Sequence, residues 1–259
     1  MDFLFSQFHS KLALDMLSVV TILFLVALVA GGLAFYFPAI SGNTYKLALV
    51  FAGSYLFSIT IVHILPELFQ LEADPAWIGV FVLAGFFLQQ ILEFFSTGVE
   101  HGHIHVHEEH GNSSAVMVVV ALGIHAFLEG GLLAHTRTIP HHHDFNTLLW
   151  GILLHKAPEA FALMSVLLCE TKSRITALAF LVLFASASPL GLYLSDFLLH
   201  QGTMSPRIFT YMFALVSGNF LHISTTIVFE SSPHHRFNAR KMTVAVAGAL
   251  VAVISEFVL

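Results

Sequence analysis

Two apolar stretches of the sequence each carry a histidine and a glutamate four residues apart. His125 and Glu129 lie in the first stretch, and His155 and Glu159 lie in the second. Because an α-helix turns once in about 3.6 residues, this spacing places both side chains of a pair on one face. Two imidazoles and two carboxylates suit a borderline divalent ion. The pattern therefore predicts a Zn²⁺ site, with Fe²⁺, Mn²⁺ and Cd²⁺ as alternatives that use similar ligands.

Each of these stretches is also long enough to cross a bilayer, which takes about 20 helical residues. If the two are antiparallel neighbours, a rise of about 1.5 Å per residue puts all four side chains near the midplane, within about two turns of one another. Ionisable groups at that depth are costly unless they are compensated, and a divalent cation compensates two carboxylates. The alternative is that each His–Glu pair is hydrogen-bonded within its helix and only holds helices together.

The composition excludes a water-soluble domain. The chain has 57% hydrophobic and 10% charged residues and a mean hydropathy of +0.84, whereas a soluble domain needs about 25% charged residues. We therefore expect an all-α polytopic protein of the cell membrane, either an inner or a plasma membrane. It should contact lipid and bind no nucleic acid. The single Cys169 excludes an internal disulfide and a multi-thiolate metal cluster.

The apolar runs predict a single transmembrane domain over residues 1–259 with eight spanning helices. Lys and Arg side chains number six in the loops on one side and three on the other, which favours both termini outside. The loop at 96–113 would then be cytoplasmic, and its alternating histidines are typical of a weak metal binder or an accidental polar linker. These histidines are His101, His103, His105 and His107. The spans are predicted at about residues 14–37, 46–66, 76–95, 114–135, 146–169, 174–198, 207–230 and 241–258.

Further polar side chains lie along the other spans. His63 and Glu67 repeat the four-residue spacing at the outer end of the second span, and Glu93 lies at the inner end of the third. His222 lies in the seventh span, and whether it adds a ligand depends on a helix rotation that periodicity does not fix. The eighth span is apolar until Glu256, and we expect it to be peripheral.

The motifs together resemble those of the ZIP (Zrt/Irt-like protein) family of divalent metal transporters. They occur in four spans and in the His-rich loop between the third and fourth, and eight spans with both termini outside is also that family's layout. The motifs are His125-Ala-Phe-Leu-Glu129-Gly130, His155-Lys-Ala-Pro158-Glu159, His63-Ile-Leu-Pro66-Glu67 and Ser188-Pro189-Leu-Gly191.

The resemblance implies a metal pathway enclosed by spans 2, 4, 5 and 7, with transport into the cytoplasm by alternating access. His125, Glu129, His155 and Glu159 become the primary ligands, and His63 and Glu67 lie near the outer approach. Many relatives have ligands of a second metal site at three positions. This chain has Ala126, Lys156 and Ser188 at those positions instead. We expect the Lys156 ammonium to replace the second ion and to pair with Glu129 or Glu159.

Other functions use the same residues. An intramembrane zinc hydrolase would hold its metal with three of these ligands and leave the fourth position open to water. A non-transporting metal sensor would bind the ion and show no flux. We expect a transporter and not an enzyme, because a His-rich collecting loop has no use in a hydrolase. Oligomeric state, including a homodimer, is not determined by one sequence.

Overall fold

The computed structural model describes residues 2–36, 43–71, 73–96, 112–138, 142–171, 173–202, 205–230 and 239–258, and within them the protein consists of helices with short turns at their ends. Helix α2 has three parts, which are Asn43–Ile59, a π-helical turn at Thr60–Ile64 and a last segment at Leu65–Gln70. The other helices are α1 (Asp2–Leu33), α3 (Pro75–Ser96), α4 (Asn112–Thr138), α5 (His142–Glu170), α6 (Arg174–His200), α7 (Pro206–Glu230) and α8 (Ala239–Val258).

The predicted all-α architecture is confirmed for the described residues, and its long apolar helices are consistent with a polytopic membrane bundle. Seven helices, α1 to α7, are long and apolar enough to span a membrane when their described residues are considered. The eighth predicted span coincides with α8. Which side of the membrane holds the termini stays a prediction, and so does the single-domain assignment. The His-rich loop lies outside the described residues, because the structure describes nothing between 97 and 111.

Helix α2 differs from its predicted span, which was expected to end at Pro66. The π-helical turn at Thr60–Ile64 comes first, and the Leu65 amide donates to the Thr60 carbonyl. Pro66 then lies in the first turn of the segment that runs to Gln70, where its missing N–H costs little. Pro75 and Pro206 likewise are the first residues of their helices, where a missing N–H costs little.

The helices form two groups of four. Helices α1, α4, α5 and α6 pack mainly on one another, and we call them the site group. Helices α2, α3, α7 and α8 form the second group, which we call the partner group. Their interface runs between α2 and α5, between α3 and α4, and between α4 and α7. The site residues predicted from the sequence lie on α4 and α5, against this interface.

Among the described residues, each group contains at least one helix crossing at which two backbones nearly touch. In the site group, a Cβ added to Gly130 would meet the Ser188 carbonyl oxygen of α6 at 1.9 Å. In the partner group, a Cβ added to Gly218 would meet the Val82 carbonyl oxygen of α3 at the same distance. Both distances are far below van der Waals contact, so only glycine fits, as at other close helix crossings in membranes.

Candidate metal centre

Helices α4 and α5 bring His125, Glu129, His155 and Glu159 together. One nitrogen or oxygen atom from each residue lies within 4.8 Å of the other three. A tetrahedral ion with bonds of about 2 Å holds its ligands about 3.4 Å apart, so modest side-chain rotation would close this set around one ion. All four side chains are buried, and none is more than 1% exposed. The arrangement is therefore occluded from water on both sides.

The contacts within the cluster suit shared coordination. Nε2 of His125 lies 3.0 Å from Oε1 of Glu129. The rings of His125 and His155 stand edge to face, with centroids 5.9 Å apart. Imidazole nitrogens and carboxylate oxygens that lie this close together can share one divalent cation.

Lys156 is also fully buried, and its ammonium places a positive charge beside a carboxylate of the cluster. Nζ donates to Oε2 of Glu129 at 3.3 Å and lies 4.6 Å from the ring centroid of Phe184 on α6. Glu129 is thus in contact with Lys156 through one oxygen and with His125 through the other. The predicted pairing of Lys156 with one of the two glutamates is met at Glu129. Snorkelling of this lysine to the surface does not occur.

Ala126 and Ser188, the other two positions at which many relatives have ligands of a second metal, lie at the crossing of α4 and α6. The hydroxyl of Ser188 donates to the Ala126 carbonyl at 2.7 Å, and Gly130 allows the approach that makes this contact. Ser188 is therefore engaged in helix packing. The crossing also holds Glu129, the residue before Gly130, at a fixed height beside Lys156.

Helix α5 carries Pro158 between Lys156 and Glu159, which leaves the Leu154 carbonyl without its usual helical donor. The partner group contacts α5 at this point. The hydroxyl of Tyr45 on α2 donates to the Pro158 carbonyl at 3.2 Å, and the Tyr45 ring packs on Phe161 with centroids 5.7 Å apart. Tyr45 was not singled out in the sequence, because nothing in a lone tyrosine near a helix start indicates which helix it will meet.

A profile of the ZIP zinc transporter family matches residues 100–256, which include all four cluster residues, helices α4 to α7 and most of α8. The chain belongs to the ZIP zinc transporter family. This ZIP protein is a metal transporter and not an enzyme, so the hydrolase alternative is set aside. No curated protein sequence matches the chain. The matched range leaves out helices α1 to α3, where the resemblance depends on the His63–Glu67 motif of α2.

His63 of this ZIP protein lies at the end of the partner group where α2 and α8 both finish. Its Nδ1 lies 3.0 Å from Oε1 of Glu256, and its Nε2 lies 3.5 Å from Oε2 of Glu67. The i, i+4 pair was predicted, but Glu256 was not, because it comes from another helix. The eighth helix was expected to be peripheral. It has a broad exposed face, but its last turn carries a ligand-type side chain to α2.

His222 does not join the central cluster. Its Nε2 lies 2.6 Å from Oε2 of Glu93 on α3, and its ring stands edge-on to Phe86. The hydroxyl of Ser217, on the same helix, donates to the Phe213 carbonyl at 2.8 Å. The predicted auxiliary histidines of the loop, at 101, 103, 105 and 107, lie outside the described residues.

Proposed function

We propose that this ZIP protein carries Zn²⁺ across the cell membrane into the cytoplasm by alternating access. The ion binds one site formed by His125, Glu129, His155 and Glu159. The observation that carries the proposal is the convergence of these four buried ligand-type side chains from two helices within 4.8 Å. Fe²⁺, Mn²⁺ and Cd²⁺ remain alternative substrates, since they use overlapping ligands.

Burial of the cluster supports alternating access over an open pore. A continuous channel would leave its ligands wet, whereas these side chains are sealed from water. Movement of one helix group against the other could expose the site to each side in turn, because the site lies against the interface between the groups. We propose that His63 and Glu67, with Glu256 beside them, lie on the outer approach to the site.

The experiment compares zinc uptake into proteoliposomes by the wild-type protein and by Glu159→Gln. Glutamine keeps the shape of the side chain and removes its charge. We expect zinc uptake to fall at least about 100-fold, since even changes to the partners of metal ligands cost 10- to 100-fold. Bound zinc, measured in the purified protein by mass spectrometry of metals, should fall with it.

Glu170→Gln is the matched control, because it removes a carboxylate from the last turn of the same helix, at its end and away from the cluster. It should leave uptake within about twofold of wild type. Zinc binding without flux in the wild-type protein would instead favour a sensor. Uptake that survives Glu159→Gln would reject the central site.

We further propose that Lys156 takes the place of a second metal ion, so that the transporter binds one ion at a time. Its ammonium lies 3.3 Å from Oε2 of Glu129 and compensates the charge that would otherwise attract a second cation. The stoichiometry of zinc bound to the purified protein should therefore be one per chain at the central site. In Lys156→Asp protein it should rise towards two, because the substitution removes a cation and adds a carboxylate ligand. A Lys156→Asp protein that still binds one zinc would contradict this.

A further inference from the structure

Two tyrosines of α2 bracket the central cluster along α5. Tyr45 meets α5 at Pro158 and Phe161, while Tyr55 packs on Gly151, where an added Cβ would lie 3.1 Å from its ring. In the sequence of α5, His155 lies between the two contacts, and Glu159 lies within the Tyr45 contact, between Pro158 and Phe161. Both rings are buried, with Tyr45 7% and Tyr55 2% exposed. The tyrosines therefore close the cluster along the interface between the two helix groups.

The two contacts differ in the hydrogen bonds of their hydroxyls. Tyr45 donates across the interface to the Pro158 carbonyl of the site group. The Tyr55 hydroxyl shares a hydrogen bond with Ser255 of α8, which belongs to its own group, at 3.3 Å. A movement of the groups against each other would break the Tyr45 bond and could leave the Tyr55–Ser255 bond intact.

We propose that Tyr45 is the inner gate of this transporter. It closes the cluster on the side where α2 begins and α5 ends. The inference rests on the proposed alternating access, and it names the contact that must break before the ion can leave. Tyr45 is a positioning residue and not a metal ligand, since it bonds to a backbone carbonyl beside Glu159.

Leu49 offers a site at which opening of this gate can be measured. It lies one turn after Tyr45 on α2, is 2% exposed, and belongs to the same apolar cluster as Phe161. A reagent that approaches from the side of Tyr45 must pass the ring before it reaches position 49. Because Cys169 is the only cysteine of the sequence, Cys169→Ser gives a background in which Leu49→Cys is the single thiol.

The experiment measures how fast a charged methanethiosulfonate labels Leu49→Cys in membrane vesicles of each orientation. Tyr45→Phe keeps the ring and removes only the hydroxyl, so labelling from the inner side should become about 2- to 10-fold faster, the range expected for one hydrogen bond. Tyr55→Phe is the matched control, because it removes the same atom from a contact inside one group, and labelling should not change. Phe161→Leu removes the ring partner on α5 and should accelerate labelling in the same direction.

Labelling of Tyr45→Phe at the wild-type rate would overturn the proposal, and so would equal acceleration by Tyr45→Phe and Tyr55→Phe. If Tyr45→Phe does not fold, Phe161→Leu decides, since a rate unchanged in that protein also overturns the proposal. The labelling rate reports opening of the gate and not zinc flux, so a failure of the gate proposal can be distinguished from a failure of the transport proposal. Repeating the comparison in Glu159→Gln protein should give the same ratio even where no zinc is carried.

Discussion

The two helix groups place their ionisable side chains in opposite ways. The site group gathers two histidines, two glutamates and a lysine at mid-helix in α4 and α5, where every one of them is buried. The partner group has its polar pairs towards its ends, with Glu93 near the end of α3 and Glu256 in the last turn of α8.

The cost of an ion inside a membrane accounts for this difference. Glu93 and Glu256 are 22% and 18% exposed, so water can supply part of their solvation. Glu129 is fully buried, and Lys156 supplies a compensating charge. A mid-membrane carboxylate needs such a partner or a bound cation, whereas one near the end of a helix does not. The groups are alike in one respect, which is the glycine crossing in each.

The strongest test of this contrast is removal of the lysine. Lys156→Met leaves Glu129 without its compensating charge, and loss of one partner of a buried pair costs about 3–5 kcal/mol. Thermal unfolding of the metal-free protein in detergent should show that loss at neutral pH. Zinc should restore much of it, because the cation compensates Glu129 again. Lys46→Met removes an exposed lysine of the partner group and should have little effect. A Lys156→Met protein as stable as wild type would mean that Glu129 is not ionised.

The glycine crossings give the next largest effect. Gly130→Ala places a Cβ against the Ser188 carbonyl, and overpacking of this kind costs about 1–3 kcal/mol or more. Unfolding should shift to lower temperature, and uptake should fall because Glu129 moves. Gly123→Ala is the matched control on the same helix, since its Cβ would meet nothing within 4 Å, and alanine there should be neutral or slightly stabilising. Gly85→Ala against Gly79→Ala repeats the comparison in the partner group.

Acidification should weaken zinc uptake, because protons compete with zinc for the imidazoles and carboxylates of the cluster. Free imidazole takes up a proton at about pH 6.5, so the initial uptake rate should fall as the outer solution is lowered from neutral pH through that range. The rise in half-saturating zinc should exceed any drop in maximal rate. Uptake that increases on acidification would indicate coupling to a proton flux.

The smallest effect is expected at the partly exposed end of the partner group. Glu256→Gln removes one carboxylate next to His63, and pairs that water can reach contribute about 0–1 kcal/mol. Stability should therefore change little, and half-saturating zinc should rise by a few-fold if the pair lies on the outer approach. Loss of stability as large as that of Lys156→Met would show that the two groups do not differ in the way described.

The sequence predicted those parts of the site that depend on one helix at a time. The pairing of residues four apart follows from helix geometry, so both His–Glu pairs, and Lys156 beside them, can be placed from residue spacing alone. The pairing of Lys156 was expected at either Glu129 or Glu159, and only the structure places it at Glu129. The sequence did not predict three contacts that join different helices. These contacts are His63 with Glu256, His222 with Glu93, and Tyr45 with Pro158. They depend on the rotation and height of each helix, which apolar periodicity leaves free in a chain that is hydrophobic on nearly every face.

Lys156 also has a consequence for membrane voltage. With both imidazoles neutral and both carboxylates ionised, the cluster carries two negative charges and one positive charge, a net charge of −1. Binding of a divalent ion changes that to +1. In the proposed cycle an inside-negative potential therefore assists both half-cycles, drawing the loaded site inward and the empty site outward. The membrane potential acts with about 2.3 kcal/mol per charge per 100 mV. With the lysine, that electrical work is divided between the inward step of the loaded site and the outward step of the empty site. Without the lysine, the loaded site would be neutral and only the outward step would respond to voltage.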